Sequence, residues 1–105
     1  MTLSELHKAL NELYPTRYSH FSKIQKLPFI CYIDVGSSDF HADNSSYVEG
    51  TMIDIELYTD KKDLEAEQKI KELLKSNKLT YTVSPTVFIK TEGFFQIVFS
   101  TTLTN

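Results

Sequence analysis

The sequence predicts an α+β fold, in which two helices pack on a mostly antiparallel β-sheet in the order α-β-β-α-β-β, with or without one more strand. Leucines recur at helical spacing near the start of the chain, and apolar and polar residues alternate in several later segments. A charged amphipathic segment separates these alternating segments into two groups. A period of 3.6 residues is typical of a helix and a period of two is typical of a strand. At 105 residues, the chain is predicted to form one domain, residues 1–105.

The first helix is predicted from a stripe of leucines near the start of the chain. The leucines of this stripe are Leu3, Leu6, Leu10 and Leu13. Thr2 and Ser4 are both good N-cap residues, so the helix is expected to begin after one of them. Pro15 ends the pattern, because the residue before a proline avoids helical backbone angles.

Two strands are predicted in the middle of the chain, over residues 29–35 and 47–58. In the first, odd-numbered side chains share one face and even-numbered side chains share the other. In the second, aliphatic residues at 53, 55 and 57 face one way, whereas Asp54 and Glu56 face the other. One apolar face and one polar face are expected of an antiparallel sheet with one solvated side.

The second half of the chain predicts a helix and then two or three strands. The helix is expected over residues 60–76, with Asp60 and Asp63 near its positive end. Its apolar stripe consists of Ala66, Ile70, Leu73 and Leu74. Residues 79–84, 87–90 and 94–100 alternate and are rich in threonine and aromatic residues, which favours strands.

A second sheet face is predicted to carry more apolar residues than a solvated surface would. We assign to it Tyr32, Tyr58, Phe88, Phe94 and Val98. Another subunit is expected to cover this face, with the segment around Tyr18 as the alternative cover. Residues 18–26 are predicted to form either an extended arm or a short strand. Tyr32, Tyr58, Phe94, Gln96 and Val98 are therefore candidate subunit-interface residues.

Composition argues against several classes of protein. The net charge of −3 is unlike the basic surface of most nucleic-acid-binding proteins, so no sequence-specific nucleic-acid partner is expected. No apolar run approaches the roughly 20 residues of a membrane span, and the first residues lack the apolar core of a signal peptide. Cys31 is the single cysteine, which excludes an intrachain disulfide and is interpreted as a small buried side chain.

The polar segment at residues 36–46 is predicted to be a loop between the first two strands. It is long for a hairpin connection, and long loops in compact domains are usually functional or mobile. Asp39, His41 and Asp43 place three metal-ligand types within five residues. The segment lacks the glycine and distal glutamate of a calcium-binding EF-hand loop, and one short loop rarely completes a ligand shell. No metal is therefore predicted.

Patterns that would indicate an enzyme do not occur in the sequence. Asp54 and Glu56 are neighbouring carboxylates, but they are interpreted as an exposed strand face or as partners of charges on another subunit. The sequence contains neither the G-x-S-x-G pattern of a nucleophile elbow nor a glycine-rich phosphate loop. The prediction is a protein with no enzymatic activity and no cofactor. An enzyme using the Asp39–His41–Asp43 loop is the weakest of the alternatives.

Four segments together resemble the small tail-terminator, or head–tail joining, proteins of tailed phages and Gram-positive prophages. They are LPFICY, SSDFHADNSSY, IELYTDKKDLEAE and FFQIVFS. The resemblance extends over roughly residues 3–103 and is a pattern of strand, polar loop, strand and charged helix.

The resemblance implies a structural role in the virion. Such proteins form a ring, commonly hexameric, at the head-proximal end of the tail, after assembly in the host cytoplasm. The ring stops polymerisation of the tail tube and joins it to the head, so the implied partners are other copies of the chain, the major tail tube protein and a head-completion or connector protein. The resemblance also implies a partner-contact role for Asp39, Phe40, His41, Ala42, Asp43 and Asn44.

Two further expectations concern assembly. The strand at residues 94–102 is expected to be an edge that pairs between subunits, because unpaired backbone groups act as a template for another strand. The loop at residues 36–46 is expected to order only when the tube or connector is present. The alternative function is a small soluble α+β module that binds a protein or a ligand as a monomer or dimer.

Overall fold

A computed structural model describes residues 1–23, 25–37, 40–41, 47–48 and 50–104. These residues form eight strands and two helices. In chain order, the elements are α1 (Leu3–Leu13), β1 (Thr16–Tyr18), β2 (Phe29–Ser37), β3 (Phe40–His41), β4 (Tyr47–Val48), β5 (Gly50–Thr59), α2 (Leu64–Ser76), β6 (Tyr81–Val83), β7 (Val87–Ile89) and β8 (Phe94–Thr104). The predicted α+β class and order of elements are confirmed.

The main sheet has six strands. Its order is β1-β2-β5-β8-β6, and β7 also pairs with β8. All the pairings are antiparallel except that of β1 with β2, which is parallel. A separate two-stranded ladder joins β3 to β4. The strand predicted over 47–58 is therefore divided into β4 and β5, and the segment predicted as a loop contains the end of β2 and the whole of β3.

Side chains cap the start of both helices. The Thr2 hydroxyl accepts a hydrogen bond from the Glu5 backbone N–H, and the Glu5 carboxylate accepts one from the Thr2 N–H. This reciprocal capping box makes Thr2, rather than Ser4, the N-cap of α1. In α2 the Asp63 carboxylate accepts a bond from the Ala66 N–H, so the helix begins at Leu64 rather than at Asp60 as predicted.

The hydrophobic core lies between the helices and one face of the sheet. Each helix contributes its apolar stripe, and β5 and β8 contribute alternate residues. The largest fully buried side chains are Leu6, Leu10, Ile30, Ile53, Ile55, Leu57, Ile70, Leu74 and Phe99. Each Å² of apolar surface that these side chains remove from water stabilises the fold by about 25 cal/mol. The opposite face of the sheet, which we call the open face, has no helix packed on it among the described elements.

The predicted edge strand at residues 94–102 is not an edge. On one side β8 pairs with β5 along its whole length, and on the other side it pairs with β7 at residues 94–96 and with β6 at residues 99–101. The prediction failed because the sequence gives no register for the two short strands that follow α2. These strands cover β8 and leave free only its last residues, as described below.

Candidate functional site: the open face and its free edges

The register of the sheet places four of the five predicted interface residues on the open face. Directly opposed residues of antiparallel strands share a face. Tyr58 opposes Gln96 and Glu56 opposes Val98, on the face opposite Ile55 and Phe99. By the same alternation, Phe94 shares a face with Gln96 and Val98. The four predicted residues on the open face are Tyr58, Phe94, Gln96 and Val98.

Tyr32 was wrongly assigned to this face. It opposes Ile55 and lies on the helix side of the sheet, where it is 6% exposed. Its hydroxyl oxygen lies 3.0 Å from His7 Nδ1 on α1, in hydrogen-bond contact. Phe88 was also wrongly assigned, because it opposes Phe95 on the helix side. Tyr32 is therefore a core residue that anchors α1 and not an interface residue.

Four aromatic rings pack together on the open face. Phe29 stacks on Tyr58 with ring centroids 4.9 Å apart, and Phe94 meets Tyr58 edge-on at 5.1 Å. Phe21, from the segment between β1 and β2, meets Phe29 edge-on at 5.2 Å. Aromatic pairs in these geometries contribute about 0.5–1.5 kcal/mol beyond the burial of their surface. The cluster fixes the segment after β1 to one end of the open face.

This contact resolves part of the question of what covers the open face. An open cavity of about 710 Å³ lies between the sheet and the segment that joins β1 to β2, with Cys31, Tyr58 and Phe94 among its lining residues. Ile89 and Glu92 also line this cavity. At this end, the open face is therefore covered by the segment around Tyr18, as the alternative prediction stated.

A chain of hydrogen bonds crosses the open face beside the cavity. Gln96 Nε2 donates to the Tyr58 hydroxyl over 2.8 Å, and that hydroxyl donates to Glu56 Oε1 over 3.0 Å. Burial raises the pKa of Glu56, the Tyr58 hydrogen bond opposes that rise, and the nearby Asp54 adds to it. Burial, with a smaller effect of Glu56, raises the pKa of the Cys31 thiol to about 11. The thiol is therefore protonated at neutral pH, which fits the predicted role of Cys31 as a small buried side chain.

Replacing Glu56 with glutamine is expected to change stability in a pH-dependent way. The folded protein holds the Glu56 proton more tightly than the unfolded chain, so this group's contribution to the free energy of unfolding falls as pH rises above about 4.5. Glu56→Gln cannot ionise. The free energy of unfolding of the variant, minus that of the native chain, should therefore be larger at pH 7 than at pH 4. The variant is thus more stable relative to the native chain at the higher pH.

Urea unfolding at the two pH values measures this difference. Glu12→Gln, at an exposed position of α1, is the matched control for the loss of one negative charge. If this difference in the free energy of unfolding between the Glu56→Gln variant and the native chain is equal at both pH values, or larger at pH 4, the raised pKa of Glu56 is contradicted.

One outer edge of the sheet is free along the end of β2. The Ile30 N–H donates to the Pro15 carbonyl, and the Tyr32 carbonyl accepts from the Ser19 N–H, so the even-numbered residues up to Asp34 direct their backbone groups outward. The Asp34 N–H meets only the Tyr18 hydroxyl, over 3.4 Å. Within the described residues, no strand lies outside β2 from residue 33 to residue 37.

A bulge interrupts the pairing of β2 with β5 along this free edge. Asp34 opposes Ile53 and Gly36 opposes Met52, which leaves Val35 as the extra residue. Gly36 has a φ of 135°, a conformation that favours glycine. Val35 and Met52 are 47% and 40% exposed. The free edge of β2 therefore has two exposed apolar side chains nearby.

The second free edge of the sheet runs along the last residues of β8. The Val98 carbonyl accepts from the Ser84 N–H and the Val98 N–H donates to Ser84 Oγ, so Val98 directs its backbone groups away from β5. By the alternation of a strand, Thr102 and Thr104 do the same. Among the described residues, no strand lies outside β8 at residues 102–104, although Thr80 approaches the start of this stretch and its carbonyl accepts from Thr101 Oγ1.

The two free edges lie at the same end of the sheet. Ser37 opposes Thr51 on β5, and Thr51 opposes Leu103 on β8. Within the described residues, this end of the sheet is thus a three-stranded ribbon of β2, β5 and β8 with no further strand on either outer edge. Sequence reasoning missed it. The one available signal was that β2 and β8 are long apolar and threonine-rich strands, whereas their outer partners are short.

The predicted partner-contact residues lie next along the chain from this ribbon, and only two of them fall in described segments. Phe40 and His41 form β3, with Phe40 opposite Val48 and His41 opposite Tyr47 in β4. Asp39, Ala42, Asp43 and Asn44 lie outside the described residues. The expected partner contacts and the expected ordering of this segment on assembly stay predictions.

Two other findings concern the kinds of site and protein under consideration. In the parts of the chain that the structure describes, no group of three or more His, Cys, Asp or Glu residues is placed to hold a metal ion. No helix among those parts is long and apolar enough to cross a membrane. In comparisons with known proteins, no family model and no curated protein matches this chain.

Proposed function

We propose that this chain is a structural subunit of a tailed-phage or prophage virion, which caps the tail tube and joins it to the head connector as a ring of identical copies. The observation that carries the proposal is the three-stranded ribbon with two free edges. The resemblance of the sequence to tail-terminator proteins supports the same role.

Two different free edges on one subunit favour a ring over a dimer. When the edge of β2 on one copy meets the edge of β8 on the next, the contact is heterologous and leaves one free edge at each end of the pair. Heterologous contacts generate a closed ring when the rotation between neighbours divides a full turn. A ring of this kind buries every free edge, whereas a dimer made by one such contact does not.

The ring would act on the tail tube by capping. It would bind the last ring of the major tail tube protein, block further addition and present its other side to the head-completion or connector protein. Residues 36–46, which continue from the ribbon, would make partner contacts through Asp39, Phe40, His41, Asp43 and Asn44. This role requires no catalytic group and no cofactor, and it places the assembled protein in the virion tail.

Assembly of tail tubes in the presence of this chain tests the proposal. Purified major tail tube protein from the same phage or prophage is polymerised with and without the chain, and tube lengths are measured by electron microscopy. We expect shorter tubes that retain the chain after sedimentation, at a few copies per tube end. Tubes of unchanged length that sediment without the chain would contradict the proposal.

A chain that neither binds nor shortens tubes would favour the alternative, a small binding module. The specific observation behind that alternative is the cavity of about 710 Å³ under the segment that follows β1. Its volume and its aromatic lining are typical of small-ligand sites.

A further inference from the structure

We infer that the sheet continues from copy to copy in a parallel arrangement, with residues 33–37 of β2 in one copy adding to residues 102–104 of β8 in the next. The inference rests on the proposed ring and names the surface through which that ring closes. Its partner is a second copy of this chain.

The direction of the strands determines the arrangement. Because β2 and β8 are both antiparallel to β5, they run in the same direction within one copy. Rotation about an axis that runs along the strands preserves this direction. Strand β8 of one copy and β2 of its neighbour would therefore be parallel. A twofold axis would instead pair β2 with β2, or β8 with β8, in antiparallel fashion.

The edge of β2 already holds a parallel partner. Strand β1 lies along it in parallel register, with Thr16 opposite Ile30 and Tyr18 opposite Tyr32. β1 ends at Tyr18, and among the residues that the structure describes no strand lies along this edge from residue 33 onward. The end of β8 from a neighbouring copy would lie along the same edge of β2, directly beyond the end of β1.

Both edges offer the backbone groups that such a ladder requires. Thr102 and Thr104 each direct an N–H and a carbonyl outward from β8. On β2 the Asp34 backbone N–H contacts the Tyr18 hydroxyl over 3.4 Å, and the Gly36 N–H donates to Asp34 Oδ1 over 3.0 Å, so an added strand would pair with the edge around Asp34. An added strand would also place its own side chains beside the exposed side chain of Val35.

The same edge carries features that limit uncontrolled pairing. A bulge and a charged residue are two of the devices by which natural sheets protect an edge from aggregation. The β2 edge has both, in Val35 and Asp34. The ladder is also short on the β8 side, at residues 102–104. Pairing in free solution is therefore expected to be weak, and a tube end that holds neighbours together would favour it.

Disulfide cross-linking with two engineered cysteines tests the inference. Val35→Cys and Thr104→Cys place thiols at exposed positions on the two edges. The native Cys31 stays in place because it is 3% exposed. The double variant is bound to tail tubes, oxidised and analysed on a denaturing gel without reductant. We expect a ladder of bands from dimer upward, since each copy can link to two neighbours.

The single variants are the matched controls. An equimolar mixture of Val35→Cys and Thr104→Cys is expected to give bands no larger than a dimer, and each single variant alone is expected to stay a monomer. Efficient dimers from either single variant would show a twofold contact and overturn the inference. Tubes that are capped but give no ladder overturn the inference and leave the proposed function standing. Tubes that neither bind the chain nor yield a ladder contradict both.

Discussion

Replacing Phe99 with alanine is expected to lower the free energy of unfolding by about 3–5 kcal/mol, as is typical for removal of a buried aromatic side chain. Phe99 lies in the middle of β8 opposite Ile55, has no exposed surface and packs edge-on against Tyr81 with ring centroids 6.3 Å apart. Its removal would leave a cavity between the sheet and the helices. Because small domains are stable by about 5–15 kcal/mol, urea unfolding of the variant should shift strongly or be lost.

Phe88→Ala is the control for this prediction. It removes the same side chain from a position that is 48% exposed, where the ring packs against that of Phe95. The expected loss is about 1 kcal/mol, from one aromatic pair. Equal losses for the two variants would contradict the burial of Phe99 in the core.

Replacing Tyr58 with alanine is expected to cost about 3 kcal/mol, the second largest effect. Its ring contacts those of Phe29 and Phe94, and its hydroxyl connects Gln96 to Glu56. The variant would break the aromatic cluster and the chain of hydrogen bonds together. The segment that carries Phe21 should also pack less tightly on the sheet. Hydrogen exchange of the backbone amides in that segment should therefore be faster than in the native chain.

Tyr58→Phe separates the two contributions. It keeps the ring and removes the hydroxyl, which leaves the Glu56 carboxylate without its donor and Gln96 without its acceptor. The expected cost is about 1–2 kcal/mol, the range for losing one partner of a partly buried hydrogen bond. If Tyr58→Phe costs as much as Tyr58→Ala in urea unfolding, ring packing contributes nothing, and the aromatic cluster does not hold the open face together.

The sequence predicted the order of elements because the two periodicities are strong where the core lies. Alternation at 53, 55 and 57 corresponds to side chains that are all buried against the helices. The face of Tyr32 was harder to predict because β2 is apolar on both faces, with Phe29 and Cys31 on one side and Ile30 and Tyr32 on the other. Periodicity shows which residues share a face, but it does not show which face meets the helices.

Pairing between distant segments was the other limit. β1 has three residues with no apolar pattern, and its parallel position beside β2 depends on the turn made by the chain after α1. The strands β6 and β7 are short as well, and their pairing with β8 removes the edge that the sequence suggested. The free ribbon of the candidate site exists only because these short strands end before their long neighbours do. No local sequence pattern reports that difference.

The most direct measurement for the proposed assembly is electron cryomicroscopy of the end of a tail tube bound to this chain. We predict one closed ring of copies at the tube end, with cyclic symmetry and with sheet density continuous from β8 of each copy to β2 of the next. A tube end without the chain, or copies bound there in twofold pairs with the ribbon edges open to solvent, would contradict it.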